Sequence, residues 1–152
     1  MRSALGIFAL ALSIAGVACA SAVVDVPAQG AIVVTVLDIR IDQGGSIVAG
    51  LFKGKDGWLD LNKALLKKTL KAASDSLAVV FDGVPYDSTY AVEVIHDKNE
   101  NGKLDFRKFP YPRPTEGAGV SNNKFRMGPP DYEKARFALS AASTSVRIKM
   151  RY

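Results

Sequence analysis

The sequence predicts an all-β protein, an antiparallel β-sandwich of about seven strands with one long loop and room for one short helix. Short segments rich in β-branched residues recur along the chain, and clusters of Gly, Pro, Asn and Asp separate them. Residues 145–152 alternate between apolar and basic side chains, which is typical of a strand with one face on a core. Hydrophobic residues make up 48% and charged residues 23% of the chain, which favours a globular protein over a disordered one.

The N-terminus has the pattern of a secretory signal peptide. Met1-Arg2 supplies a positive start, residues 5–17 form a short apolar run, and Ala18-Cys19-Ala20 fits the small-residue rule for cleavage. We therefore expect residues 1–20 to be a signal peptide, with cleavage after residue 22 as the alternative, and residues 21–152 to form a single β-sandwich domain. Cys19 is either removed with this segment or lipidated. The expected location is periplasmic or secreted, with no transmembrane segment in the mature chain.

The first half of the domain predicts a β-hairpin and then an ambiguous segment. Residues 31–39 and 46–52 are predicted strands joined by the turn signal at residues 42–45. Residues 60–71 fit one short helix, but their C-terminal half fits the start of a strand equally well.

The second half of the domain contains further strands and the long loop. Strands are expected at residues 76–81, 89–95, 135–139 and 145–152, with a turn at residues 82–87. Residues 97–130 are rich in Gly, Pro and Asn, and they are predicted to form one loop. Because loops of this length are uncommon in compact domains unless they are functional, we expect the functional site there.

One stretch of the long loop matches the spacing of a calcium-binding loop. Side-chain oxygens occupy its first, third, fifth and ninth positions, a glycine occupies the sixth, and the seventh residue offers its backbone carbonyl. Calcium prefers six to eight oxygen ligands, and this spacing arranges them around one point. The sequence therefore predicts a metal site made by Asp97, Asn99, Asn101, Lys103 and Asp105.

The predicted calcium site is weak and has an alternative without metal. The twelfth position is Lys108 instead of the usual bidentate Glu, so the expected dissociation constant is roughly 10⁻⁴–10⁻³ M. Glu116 or a water molecule would supply the missing ligand. A turn held by bonds between side chains and backbone explains the same residues without any metal, and the sequence leaves both interpretations open.

Catalytic chemistry has little support in the sequence. The single His excludes a metal site with two imidazoles, and the single Cys excludes an internal disulfide framework. A serine hydrolase would pair His96 with Ser121, but no Gly follows two residues after this Ser, as a nucleophile elbow requires. Glu93 and Asp97 share a strand face, but such carboxylate pairs are common on sheets. We assign no catalytic residue, and an enzyme is the less favoured class.

Basic side chains are unevenly distributed. The net charge is +5, and residues 121–152 hold seven Lys/Arg but only two Asp/Glu. Residues 106–113 mix aromatic with basic side chains, which suits stacking on sugars or on the surface of a partner. In an exported protein this charge favours an anionic surface over nucleic acid. The simpler explanations are a solvated strand face and aromatics that hold the loop on the sandwich; Trp58 is expected in the core.

An ordered set of short motifs covers nearly all of residues 32–152. They are Gly83-Val84-Pro85, Tyr90-Ala91-Val92, residues 96–105, residues 116–123, residues 128–135 and the closing residues 146–152. Together they closely resemble the bacterial exported family called domain of unknown function 2141. Tyr86-Asp87-Ser88 departs from the Pro-Gly-type turn of that family, which affects only local turn geometry. The resemblance implies a small secreted or periplasmic domain with a prealbumin-like or immunoglobulin-like sandwich, and it implies no activity.

The sequence thus predicts an exported β-sandwich module without a specific assigned activity. We expect a non-enzymatic binding or structural role at the cell envelope, with an unknown protein or glycan as partner and calcium as the only candidate cofactor. The alternative is a hydrolase that uses His96 and Asp97.

Overall fold

The computed structural model describes residues 28–86, 88–123 and 128–152. The predicted signal peptide, residues 1–20, and Cys19 lie outside the described residues. Within these residues, the strands and the α-helix are β1 (Gln29–Leu37), β2 (Ser46–Phe52), β3 (Leu66–Lys71), β4 (Leu77–Pro85), β5 (Ser88–Asp97), β6 (Phe106–Arg107), β7 (Arg113–Pro114), β8 (Gly117–Val120), α1 (Tyr132–Ala135), β9 (Phe137–Leu139) and β10 (Ser143–Lys149).

Two sheets pack against each other around the main core. The first has the order β10-β1-β4, and the second has the order β3-β2-β5-β8, with β9 paired to the start of β5. Inward-facing side chains alternate along the strands of both sheets and form one apolar cluster, which includes Ile32, Val34, Val36, Phe81, Ile148, Ile47, Leu51, Tyr90, Val92 and Val94. This confirms the predicted all-β sandwich, and seven of the described strands have four residues or more.

The predicted hairpin of the first two strands is wrong. β1 pairs with β4 and β10, whereas β2 pairs with β3 and β5. The inward residues of β1 and those of β2 belong to the same core cluster, but the two strands lie in opposite sheets. The connection between them crosses from one sheet to the other, and Gly44 and Gly45 in this connection have positive φ angles of 65° and 74°.

One strand pair departs from the antiparallel arrangement. β1 and β10 run parallel, with Val34 opposite Val146 and Val36 opposite Ile148, while the other described pairs are antiparallel. The alternation predicted for residues 145–152 is confirmed for the buried Val146, Ile148 and Met150. A parallel partner needs a connection across the domain and not a tight turn, so the sequence distance between β1 and β10 is consistent with this pairing.

The structure decides between the alternatives left open for residues 60–71. The C-terminal half forms β3, an edge strand with exposed lysines, and the preceding residues form turns. The short helix lies instead at α1, where Asp131 caps the N-terminus by accepting a hydrogen bond from the Glu133 N–H at 3.1 Å.

The turn expected at residues 82–87 begins later, because β4 continues to Pro85. Among the described residues, no helix is long and apolar enough to span a membrane.

A second apolar layer covers the outer face of the second sheet. β5 is buried on both faces from Tyr90 to Asp97. Its outer residues Ala91 and Ile95 belong to a second cluster, together with Val48, Phe52, Leu61, Val120, Tyr132 and Ala135. Trp58 packs against this cluster instead of the main core, and its indole N–H donates to the Pro130 carbonyl at 2.8 Å. The segments before β3 and after β5 are therefore held against the sheet.

Candidate functional site

The Asp97 loop, residues 97–105, begins at the buried end of β5. The Asp97 side chain is only 2% exposed. Its Oδ1 accepts a hydrogen bond from the Asn101 N–H at 3.0 Å, and its Oδ2 accepts one from the Gly102 N–H at 2.6 Å. Gly102 has a φ of 79°, which permits the sharp turn at this point. The carboxylate thus accepts hydrogen bonds from two main-chain N–H groups that have no strand partner because they lie in the turn.

The other predicted ligands lie around the same point. Asn99 and Asn101 donate side-chain N–H groups to Oδ2 of Asp105, at 2.7 and 2.9 Å. Oδ1 of Asn99 accepts from the Asn101 N–H at 3.2 Å, and Oδ1 of Asn101 accepts from the Lys103 N–H at 3.0 Å. The structure therefore brings together the four predicted side-chain ligands, within a network of the type expected for a turn without metal.

The donor set retains capacity for a cation. A carboxylate has about four lone-pair sites, and Asp97 and Asp105 each use two of them for the hydrogen bonds above. Across the described residues, no group of three or more His, Cys, Asp and Glu side chains is placed to hold a metal ion. Any cation here would depend on two carboxylates, supplemented by amide and backbone oxygens. That composition suits a hard cation of low affinity.

Glu116 ties the two ends of the Asp97 loop together. The residue is 2% exposed, and its carboxylate accepts the Lys98 N–H at 2.9 Å and the Asp105 N–H at 3.1 Å. Charge-assisted bonds of this kind are stronger than those between neutral groups. Glu100 points away toward β2 and β3, where it accepts from Lys71 Nζ at 2.8 Å and from Ser46 Oγ at 2.9 Å. The Lys71 hydrogen bond is the main cause of the lowered pKa of Glu100.

His96 and Ser121 are both engaged in structural hydrogen bonds. His96 is fully buried; its Nε2–H donates to the Gly44 carbonyl at 2.6 Å, and its Nδ1 accepts from the Tyr152 hydroxyl at 2.7 Å. Ser121 is also fully buried, with its hydroxyl donating to the Ala135 carbonyl at 2.6 Å. His96, Asp97 and Ser121 are all buried, so in this arrangement neither the His96–Ser121 pair nor the alternative hydrolase with His96 and Asp97 has an accessible group.

Tyr152 closes the His96 network at the sandwich edge. Its hydroxyl accepts the Arg40 N–H at 2.9 Å, and the Arg40 guanidinium lies 4.4 Å from the centre of its ring. Burial is the largest cause of the raised pKa of Tyr152. A Cβ at Gly117 would lie 2.5 Å from the ring, so the absence of a side chain there makes room for Tyr152.

A cleft lies between the outer face of the second sheet and the segments that cover it. Its main part has a volume of about 1000 Å³. A smaller inner lobe of about 140 Å³ shares Leu59, Glu93, Lys103 and Leu104 with it. The cleft is therefore bounded by residues 97–130, but the prediction that they form one loop is wrong, because they contain β6, β7 and β8, and β8 pairs with β5 in the second sheet.

Glu93 is a functional candidate that the sequence analysis named but set aside. The residue is only 5% exposed, it lines both parts of the cleft, and its Oε2 has no hydrogen-bond partner among the described residues. Burial raises the pKa of Glu93 to about 7, and the nearby Asp60 carboxylate adds to this shift. The sequence of β5 contained a signal that Glu93 would be buried. β5 carries apolar residues on both faces, which is typical of a fully buried strand, so a charge in its middle would also be buried.

The residues after the Asp97 loop form an exposed aromatic–basic hairpin, residues 106–114, built on β6 and β7. Phe109 is 83% exposed, Tyr111 60% and Phe106 57%. The hairpin also carries Arg107, Lys108 and Arg113 and has no acidic residue. Its aromatic side chains therefore do not pin the loop to the sandwich, as the simpler interpretation expected, but present an apolar and positive surface to solvent.

The comparisons with known proteins return one family. A family model described as an uncharacterized protein conserved in bacteria, domain of unknown function 2141, matches residues 34–147, well over half of the chain. No curated protein and no solved structure matches the chain. The match agrees with the resemblance carried by the sequence motifs.

Glu93→Gln tests the buried carboxyl. Since the folded-state pKa of about 7 exceeds the reference value of 4.5, the folded protein binds more protons than the unfolded chain between these pH values. The free energy of unfolding of the wild type should therefore fall as pH rises from 4.5 to 7, by about 3 kcal/mol relative to Glu93→Gln. Urea unfolding of both proteins from pH 4 to 8 measures this difference. Glu133→Gln, at an exposed position, is the control. A difference in the free energy of unfolding between the wild type and Glu93→Gln that does not change with pH would contradict the burial of the Glu93 carboxyl group.

Tyr152→Phe tests the His96 network. The substitution removes the hydroxyl that pairs with the buried His96 Nδ1, and we expect it to lower the free energy of unfolding by about 1–3 kcal/mol. Tyr111→Phe removes the same atom from an exposed ring and should change stability by less than about 0.5 kcal/mol. Thermal and urea unfolding compare the two variants, and equal effects would exclude the network as a source of stability.

Proposed function

The chain belongs to the bacterial family domain of unknown function 2141, and from this premise we propose that it is an exported, non-enzymatic β-sandwich module that binds an acidic glycan of the cell envelope. The observation that carries the proposal is the aromatic–basic hairpin. Export is supported by the signal-peptide pattern of residues 1–20, which leads to a periplasmic or secreted location.

The chemistry of the hairpin favours an acidic glycan. Exposed aromatic faces stack on the apolar faces of sugar rings, and guanidinium groups pair with carboxylate or phosphate groups in a bidentate manner. The Arg113 guanidinium lies 5.9 Å from the centre of the Tyr111 ring, so a charged and a stacking group are presented side by side. A polymer with alternating sugar rings and acidic groups matches both features, whereas a purely apolar partner leaves the charges unpaired.

The hairpin has a rigid base, which reduces the cost of binding. The Thr115 N–H donates to the Asp105 carbonyl at 2.9 Å, and the Glu116 carboxylate holds Asp105 and Lys98. A surface that is already ordered loses less conformational entropy when a ligand binds. This arrangement supports recognition by the hairpin as a unit.

Retention on immobilised hyaluronate, with neutral dextran as the reference matrix, tests glycan binding. The purified protein should bind hyaluronate and not dextran, with retention that weakens as salt rises. The double variant Phe109→Ser, Tyr111→Ser should lose at least tenfold in affinity, because both stacking surfaces are removed. Leu65→Ser, which removes another half-exposed apolar side chain, is the matched control. Equal binding of the hairpin variant and the wild type to hyaluronate would reject a glycan partner. Binding of the protein to isolated cell envelopes that is lost when the envelopes are treated with protease would reject it as well.

We also propose that the Asp97 loop binds calcium weakly through Asp97, Asn99, Asn101, Asp105 and the backbone carbonyl of Lys103. The proposal is supported by the spacing of these residues, by their convergence and by the unused lone pairs of the two carboxylates. Calcium would add to the hydrogen bonds that hold the base of the hairpin.

Melting with and without calcium tests this site. At 10 mM calcium a dissociation constant of roughly 10⁻⁴–10⁻³ M stabilises the folded state by about 1.4–2.7 kcal/mol, or about 5–10 °C. Asp105→Asn preserves the shape of the side chain but removes a charge, and it should abolish most of the rise. Asp75→Asn, at an exposed position outside the loop, should retain it. No rise in the wild type, or an equal rise in both variants, would leave the loop as a hydrogen-bonded turn.

A further inference from the structure

The inner lobe of the cleft contains an unsatisfied acidic group. Glu93 lies on the outer face of β5, opposite Gly50 of β2 and Val120 of β8. Its Oε2 finds no partner within the described part of the chain, although the residue is only 5% exposed. A buried polar atom without a partner is costly, and buried polar atoms usually pair with a protein group or an ordered water. A bound molecule with a donor group would satisfy it.

The surroundings of Glu93 favour a cationic donor over an anion. Asp60 lines the same inner lobe, and its exposed ion pair with Lys63 is long, at 3.9 Å. Two acidic residues that line one small space attract an ammonium group and repel an acidic one. Lys103 also lines the lobe but is an exposed residue, so its charge is better solvated than that of Glu93.

The outer part of the cleft has the opposite character. Prolines and apolar side chains form much of its wall, among them Leu104, Phe106, Pro112 and Pro130. Three arginines also line it, Arg107, Arg113 and Arg151. Guanidinium groups pair readily with a carboxylate, so the outer part of the cleft suits an anionic group. Asp60 lines only the inner lobe and the three arginines line only the outer part, while Glu93 and Lys103 line both.

We propose that the cleft binds a short peptide or a similar zwitterion, with its amino group at Glu93 and Asp60, its apolar body along the proline wall and its carboxylate at Arg107 and Arg113. The volume of about 1000 Å³ is sufficient for about three residues. The two proposed sites share Arg107 and Arg113, but the exposed ring faces of Phe109 and Tyr111, on which glycan binding depends, do not line the cleft.

Calorimetry with the tripeptide Ala-Phe-Ala tests the proposal on the purified protein. The peptide with free termini should bind at least tenfold more tightly than its N-acetylated form, because acetylation removes the ammonium group. Amidation of the C-terminus should weaken binding as well, since it removes the carboxylate that faces the arginines. Glu93→Gln should weaken binding of the free peptide at least tenfold and leave binding of the acetylated peptide unchanged.

The controls separate this site from other causes. Glu133→Gln, at an exposed position of α1, should bind the free tripeptide as the wild type does. Should Glu93→Gln fail to fold, the comparison of free and acetylated peptides on the wild type decides the question. Equal binding of the two peptides, or no binding of either at millimolar concentration, would overturn the proposal. Retention on hyaluronate does not depend on Glu93, so failure of one proposal is distinguishable from failure of the other.

Discussion

Burial of β5 on both faces is the constraint on which the rest of the structure depends. One face of the strand packs into the sandwich core through Tyr90, Val92 and Val94. The other face carries Ala91 and Ile95, which would be exposed in a simple two-layer sandwich. Because burial of that apolar surface is favourable, the segments before β3 and after β5 fold over this face of the sheet. The cleft and the exposed hairpin are consequences of this third layer.

Buried carboxylates, and not apolar contacts, hold the covering loop at the point where it leaves the sheet. Asp97 and Glu116 are both almost fully buried, and each accepts two main-chain N–H groups of the covering loop. A loop of this length would otherwise bury unpaired backbone donors, which native proteins avoid. The same residues therefore explain the ordered loop with or without a bound cation. Glu93 differs from them, because its Oε2 accepts nothing from the described residues.

Local patterns predicted the strands more reliably than their partners. Alternation over residues 145–152 placed Val146 and Ile148 on the core correctly, since the period of two is a property of the strand itself. The turn signal after residues 31–39 did not indicate whether the next strand would lie beside β1 or across the core, because both solutions bury the same apolar face. The parallel pairing of β1 with β10 depends on residues more than one hundred positions apart, which no local pattern reports. For the candidate site, the spacing of Asp97, Asn99, Asn101 and Asp105 was sufficient to predict that they converge, because all four lie within the short Asp97 loop.

The sequence by itself determined the all-β class and the family, because composition, alternation and motif order are encoded locally along the chain. Only the tertiary structure decided that His96 and Ser121 are buried structural groups, that Glu116 clamps the Asp97 loop, and that Glu93 faces a cleft. Each of these depends on which distant segment covers a strand face. That choice follows from the burial of apolar area over the whole domain and not from any single segment.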